Sequence, residues 1–203
     1  MEQTVTYSDQ DIIEALARGA KERECFDEEA AATCGDDWIR VGPLSPEQIQ
    51  PASIDLCLGT EFVCLTAAAS VDMRDRIVPS YPVSIGAGKD SYFELKPHEL
   101  VLATTIERVE LGPRICAKIE GKSSLGRLGL VVHVTAGFID PGFRGQLTLE
   151  LNNIGPSPIR LRPGLAICQV AFGECKTRAR RPYGSPGLGS RYQDQVGAVP
   201  VRP

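Results

Sequence analysis

Apolar residues follow two different rhythms along this chain. Near the start, Ile12, Ile13 and Leu16 make a short stripe at helical spacing. Ser8 and Asp11 stand three apart as a capping pair and Gly19 is a candidate stop, so a short N-terminal helix is predicted. Ser45-Pro46-Glu47-Gln48 is a second cap with proline at the first helical position and predicts one further helical turn. From Ile54 onward the rhythm changes to short runs of β type, at 54–58, 61–65, 92–95, 100–106, 115–119, 130–134, 146–151, 158–161 and 166–172. Turn residues separate them at Gly59, Pro97, Gly112-Pro113, Pro141-Gly142, Gly155-Pro156 and Pro163-Gly164. Many short strands at this spacing predict a mainly β fold: a sandwich, a jelly roll or a small distorted barrel. Only 123–128 interrupts them, as one brief internal helix.

Two stretches fall outside that pattern. Residues 21–37 carry seven acidic side chains against Lys21 and Arg23, with few core formers, and the whole stretch 21–45 reads as an acidic loop insertion. From Lys176 to Pro203 there are six Lys or Arg, one acid (Asp194) and many Gly and Pro, which predicts a flexible basic tail or a segment that orders on binding. The expected organisation is a single β domain over 1–175 followed by a C-terminal lid over 176–203.

Composition narrows the class of protein. With 42% hydrophobic and 24% charged residues in 203, the chain is an ordinary globular one with enough length for a complete core. No run approaches the roughly 20 apolar residues of a membrane span, and Met1-Glu2-Gln3-Thr4 lacks the basic and apolar regions of a signal peptide. The net charge of −4 gives no general attraction to nucleic acid or anionic lipid, so an anionic ligand has to be met by a local site. Seven cysteines at 25, 34, 57, 64, 116, 168 and 175, with no C-x-x-C pair, predict reduced thiols and a cytoplasmic location.

Two clusters are candidates for chemistry. In Glu120-Gly121-Lys122-Ser123-Ser124-Leu125-Gly126-Arg127-Leu128-Gly129, a glycine before Lys-Ser-Ser lets backbone N–H groups approach an anion at the start of the brief helix. The upstream glycine of a Walker A loop is missing, and the same residues also read as a capped surface helix. In Ala136-Gly137-Phe138-Ile139-Asp140-Pro141-Gly142-Phe143, Asp-Pro-Gly makes a tight turn. The strand after it alternates, with Leu147, Leu149 and Leu151 on one face and Gln146, Thr148 and Glu150 on the other. Asp140 also reads as a plain turn former and Glu150 as a solvent-facing strand residue. His98 and His133 are too few for most zinc enzymes. No P-C-x-x-C accompanies His98-Glu99, so zinc deaminase chemistry is not expected. His98 is expected in a loop and His133 in a strand, with Cys116 and Cys168 as core fillers.

Taken together and in order, these segments resemble a known family. The run 120–130, then Thr135-Ala136-Gly137-Phe138-Ile139-Asp140-Pro141-Gly142-Phe143 and Glu150, is similar to the dCTP deaminase branch of the dUTPase-like superfamily. Pro51-Ala52-Ser53-Ile54-Asp55 with Leu58-Gly59 resembles its early strand motif. Pro182-Tyr183-Gly184 with Gly189-Ser190-Arg191-Tyr192-Gln193-Asp194-Gln195 resembles its C-terminal lid. Cys57 and Arg191 stand where that family usually has Arg and Lys.

The resemblance implies a dUTPase-like, jelly-roll-like subunit assembling as a homotrimer with active sites between subunits. It implies zinc-independent hydrolytic deamination of dCTP. One carboxylate, its pKa raised toward working pH, takes a proton from water, protonates the ring and then the departing amine. By resemblance Glu150 holds that role, Ser123 holds the attacking water and Arg127 orients the carboxylate. Lys122, Ser124, Leu125, Gly126, Thr148 and Leu149 contact the nucleotide, whose triphosphate carries Mg²⁺. Tyr183, Arg191 and Gln195 close over it. Asp140, in Gly-Phe-Ile-Asp, matches the residue that activates water against the α-phosphorus in dUTPases. Gly137 and Phe138 resemble the bifunctional members, which yield dUMP, ammonia and pyrophosphate. A monofunctional deaminase giving dUTP, a plain dUTPase and a non-catalytic nucleotide-binding regulator are the alternatives.

Overall fold

The computed structural model describes residues 5–22, 35–74 and 78–201. The predicted acidic loop therefore lies partly, over 23–34, outside the described residues, as do Cys25, Cys34 and the last two residues of the tail.

The N-terminal helix forms where Ser8 and Asp11 predict it. Strand β1 (Val5–Thr6) leads into α1 (Asp9–Glu22). Ser8 donates its N–H to Asp11 Oδ2 at 2.9 Å while the Asp11 N–H donates to Ser8 Oγ at 3.3 Å, a reciprocal cap. Ile12 and Ala15 are fully buried, whereas Ile13 faces solvent. Gly19 does not stop the helix, which runs on to Glu22. A Cβ at Gly19 would lie 2.1 Å from the Ile39 carbonyl oxygen, so glycine here lets the helix press onto the strand beneath it.

Strands β2 (Ile39–Gly42), β3 (Ile49–Gln50), β4 (Ser53–Leu65) and β5 (Ser80–Ser84) follow, with a single 3₁₀ turn at Pro46–Gln48 before β3. The predicted strands 54–58 and 61–65 are one long element, β4. Its first half pairs with β13 (Ala166–Glu174) and its second half with β7 (Leu100–Leu111), with a register shift between Leu58 and Phe62. A strand that changes partner through an irregularity makes a corner between two sheets. Gly59 sits at that corner, where an added Cβ would lie 2.9 Å from Thr104 Cγ2.

The remaining elements are β6 (Phe93–Leu95), β8 (Ile115–Gly121), α2 (Ser123–Gly126), β9 (Leu130–Val131), β10 (Phe138–Ile139), β11 (Arg144–Asn153) and β12 (Ile159–Leu161). Through neighbouring strands the order is β10-β8-β13-β4-β7-β11-β9, every pairing antiparallel, with β6 and β12, distant in sequence, forming a separate two-stranded antiparallel sheet. This is the mainly β, curled, jelly-roll-like architecture expected from the strand spacing.

The core lies inside the curl. Leu147, Leu149 and Leu151 of β11 are buried against Ile54, Leu56, Phe62, Val101 and Phe172, while Gln146, Thr148 and Glu150 stay partly exposed. Burying each such leucine contributes ~1.5–3 kcal/mol, so the register of β11, and with it the side on which Glu150 stands, is set by its leucines. Cys116 and Cys168 are core fillers as expected. The predicted strand 130–134 is shorter than expected and His133 lies outside it. There β11 donates the Glu150 N–H to Val132 O at 3.1 Å, while the Val134 N–H turns to the Glu150 side chain at 2.8 Å. No helix among the described residues is long and apolar enough to cross a membrane.

Candidate active site

Glu150 stands on β11 two residues after Thr148, and the two share a face because side chains alternate along a strand. Asp140 follows β10 and opens the turn to β11: Phe143 donates its N–H to the Asp140 carbonyl at 3.1 Å, and Gly142 sits at φ +86°. That is a type II turn, which needs a residue free of Cβ at its third position, where Pro182 would otherwise be struck at 2.5 Å. These elements enclose a cavity of about 260 Å³ lined by Asp140, Thr148, Glu150, Phe138, Tyr183 and Gln195, among others. Within one subunit, the two carboxylates singled out in the sequence thus face the same space.

Glu150 is held in place. One of its oxygens accepts the Val134 N–H at 2.8 Å, and its own strand position is locked by pairing with Leu102. Gly137, between these segments, has no room for a side chain: a Cβ would lie 2.9 Å from His133 Cε1 and 3.1 Å from Ile119 O.

Residues 176–201 contain no helix or strand and lie as a strap against the same chain. Tyr183 tilts against Phe143 with ring centroids 5.8 Å apart, and its hydroxyl accepts the Tyr192 N–H at 3.0 Å. Gln195 is buried, meets Gly145 in a single parallel bridge, and donates from Nε2 to Gln146 O at 2.6 Å. Val199 donates its N–H to Thr148 Oγ1 at 3.3 Å. Tyr183 and Gln195 therefore reach the cavity, whereas Arg191 is exposed on the strap.

The other cluster lies elsewhere. Ser123, Ser124, Gly126 and Arg127, on and after α2, are exposed and do not line the Glu150 cavity of their own subunit. Leu125 packs partly against the core. Lys122 is paired with Asp55, whose chain position is fixed by β4. Leu149, fully buried, sends its side chain into the core and leaves only its main chain on the cavity side.

Several residues of the site carry no sequence signal. Val199 and Val201 line the cavity although nothing in their spacing marks them, and Gln146 reads as a plain strand residue yet anchors the strap through its main-chain carbonyl, which accepts Gln195 Nε2, and its side-chain Oε1, which accepts the Gly197 N–H. Near the Lys122–Asp55 pair lies a buried carboxylate, Glu107, which accepts Gln48 Nε2 at 2.7 Å and the Cys57 N–H at 2.8 Å. Burial and that carboxylate push the Cys57 thiol up to about 11, so it stays protonated.

The model of the dCTP deaminase-like family matches residues 8–175. The chain belongs to the dCTP deaminase-like family. It is 45% identical over 169 residues to the dCTP deaminase of Natronomonas pharaonis, covering 78% of this chain and 84% of that one. It is 43% identical over 169 residues to a dUMP-forming dCTP deaminase of Bifidobacterium longum, covering 81% of this chain and 86% of the relative. Among solved structures, the 2'-deoxycytidine 5'-triphosphate deaminase of Agrobacterium tumefaciens matches with a TM-score of 0.59 at 23% identity, a likeness of fold. That match covers 84% of this chain and 48% of the other.

Proposed function

We propose that this protein hydrolyses dCTP to dUMP, ammonia and pyrophosphate in one site, consuming two waters. The observation that carries this reading is the shared cavity of Glu150 and Asp140, one carboxylate for each hydrolysis. The kinship with dUMP-forming relatives in several organisms supports it.

In this reading Glu150 takes a proton from the water that attacks C4 of the pyrimidine and passes it to N3. It then takes the proton of the new C4 hydroxyl and delivers it to the amine, so that the C4–N bond breaks, the C4 carbonyl forms and ammonia leaves. The Val134 N–H fixes one oxygen of the carboxylate, so the other is aimed without rotational loss. Asp140 then draws a proton from a second water as it attacks the α-phosphorus, and pyrophosphate leaves. Tyr183 and Gln195, on the strap, cover the nucleotide and exclude bulk water.

Ser123 and Arg127 belong to the chemistry only if a neighbour brings them, since their own subunit keeps them on its outer surface. The reading therefore includes a homotrimer in which α2 of one subunit completes the Glu150 cavity of the next. There Ser123 holds the attacking water and Arg127 steadies the carboxylate, while Lys122 and Ser124 meet phosphate. Lys122 then exchanges part of its Asp55 contact for a phosphate oxygen.

Mg²⁺ belongs to the substrate side. In this reading the ion is coordinated chiefly by phosphate oxygens and water. When bound it neutralises triphosphate charge. No zinc step is part of the reading. We place the enzyme in the cytoplasm, a compartment that keeps thiols reduced, in keeping with five cysteines among the described residues that are free.

Product analysis with dCTP, CTP and dUTP in parallel tests this. The reading expects dUMP and ammonia from dCTP with little free dUTP. Accumulating dUTP would make the protein a monofunctional deaminase, and turnover of dUTP alone a plain dUTPase. Binding with no product would leave a nucleotide-binding regulator.

A further inference from the structure

Asp194 ties the strap to the sheet through two ion pairs and a main-chain hydrogen bond. Asp194 is the acid of an otherwise basic tail and sits in the left-handed region at φ +57°, which aspartate tolerates better than most residues. Its Oδ1 accepts Arg108 Nη2 at 2.6 Å from β7, and its Oδ2 accepts Arg144 Nη2 at 3.0 Å from the start of β11. Arg108 also donates from Nε to Glu110 at 2.8 Å. Around this carboxylate the main chain is stitched as well. Asp194 donates its N–H to Arg144 O at 2.7 Å, and Arg144 donates its own N–H to Gln193 Oε1 at 3.1 Å.

The position of this clamp matters because of what comes next in the chain. Gln195 is 5% exposed and lines the cavity of Glu150 and Asp140, and Gly197 donates its N–H to Gln146 Oε1 at 2.8 Å. Arg108 and Arg144 come from two paired strands, two residues apart in register and so on one face, Arg144 opposite Glu110 and Gln146 opposite Arg108. The two guanidiniums thus face one spot from a rigid surface, and a single carboxylate there fixes the strap's register against β11. Apart from Tyr183, which packs against Phe143 and is held by other contacts, the strap adds little to the apolar core, so the clamp acts on the strap more than on the fold.

We propose that Asp194 is the positioning residue of the C-terminal strap: bridging Arg108 and Arg144, it seats Gln195 and Tyr192 over the nucleotide cavity and so sets how tightly nucleotide is retained. Asp194 itself touches no reacting atom in this role. The proposal deepens the reading of the site as a pyrimidine nucleotide pocket and rests on it for its kinetic consequence alone.

The test uses the full chain and two variants. Asp194→Asn keeps the shape and the tolerance of positive φ while removing the charge, and Asp194→Gly frees the backbone and removes the side chain. In nucleotide-free protein, hydrogen exchange at the Gly197 and Val199 amides is expected to speed up about fivefold or more in both variants, the scale of a lost networked ion pair. Raising KCl to about 0.5 M is expected to produce a similar increase in the unmodified protein and little more in the variants. Thermal melting of the domain should stay in place. With dCTP and Mg²⁺, KM is expected to rise about fivefold with kcat within about twofold, a split that a general loss of structure would not give. Unchanged exchange in both variants overturns the clamp. Faster exchange with an unchanged KM in an active enzyme overturns its role in retaining nucleotide. Should the unmodified protein turn over no pyrimidine nucleotide, the functional reading fails, and the exchange and salt results still accept or reject the clamp on their own.

Discussion

The Glu150 carboxylate accepts the backbone N–H of Val134 at 2.8 Å, across the point where strand β9 ends and the chain leaves the sheet. A side chain here takes over a hydrogen bond that a ladder would otherwise supply, so the shortness of β9 and the fixed orientation of Glu150 have one cause. The ten-residue β11 brings Thr148 and Glu150 to one face, and the Asp-Pro-Gly turn before it brings Asp140 to the same cavity. A strand and the turn leading into it thus assemble two carboxylates from sequence neighbours only ten positions apart.

The two carboxylates should be separable by product. In the Asp140→Asn variant the amide keeps the turn but cannot accept a proton from water, so dCTP should yield ammonia at a near-normal rate while dUTP accumulates. Chromatography of the nucleotides against time reads this directly. Loss of both products in equal measure would mean that Asp140 serves the deamination as well.

Glu107 should matter for stability. It is 2% exposed, and each of its oxygens accepts one buried donor, from Gln48 and from the Cys57 main chain. Glu107→Ala strands both donors and opens a cavity, which should cost about 2–4 kcal/mol in chemical denaturation. Gln in its place keeps one acceptor and should cost less. An Ala variant as stable as the parent would show that water satisfies those donors.

Much of this was legible beforehand, and the misses have physical causes. The alternation of Leu147, Leu149 and Leu151 fixes both the strand and the face of Glu150, because one-residue slippage would expose all three. Gly19 reads as a stop only when the neighbouring strand is ignored; against Ile39 it is a close-packing residue inside the helix. Strands β1, β2, β3, β5 and β10 leave no signal in the sequence pattern because each has only two to five residues, too few for polar and apolar positions to show a period. The tail gave no core signal, since its order comes from main-chain and charged contacts to Gln146, Arg108 and Arg144. That Ser123 and Arg127 face away from their own Glu150 is invisible to spacing.

The strap should respond to acid in a defined direction. The Arg108 hydrogen bond, then the charge of Arg144, holds the Asp194 carboxyl below the usual aspartate value of 3.8. A carboxyl depressed in the folded state adds stability that is complete above its unfolded value and lost as pH falls through the lowered one. Exchange protection at Gly197 should therefore be flat from about pH 8 to pH 5 and fall only below about pH 4. Loss of protection near neutrality would place another group in control.

The thiols of Cys57, Cys116 and Cys168 should be inert. Burial, followed by the neighbouring Cys175, pushes Cys116 up to about 11; burial pushes Cys168 further up, and Cys57 stands at about 11. Alkylation at pH 7.5 followed by peptide mapping should label these three about tenfold or more slowly than in unfolded chain, since only the thiolate reacts. Rapid labelling of Cys57 would show that its contact with Glu107 opens in solution.

The central role assigned to Glu150 is tested most directly by ammonia release from dCTP in the Glu150→Gln variant, measured beside dCTP binding to the same preparation. The account predicts release slowed by about 10²-fold or more, the scale of a lost general acid–base group, with dCTP still bound. Ammonia release at the parent rate would contradict it.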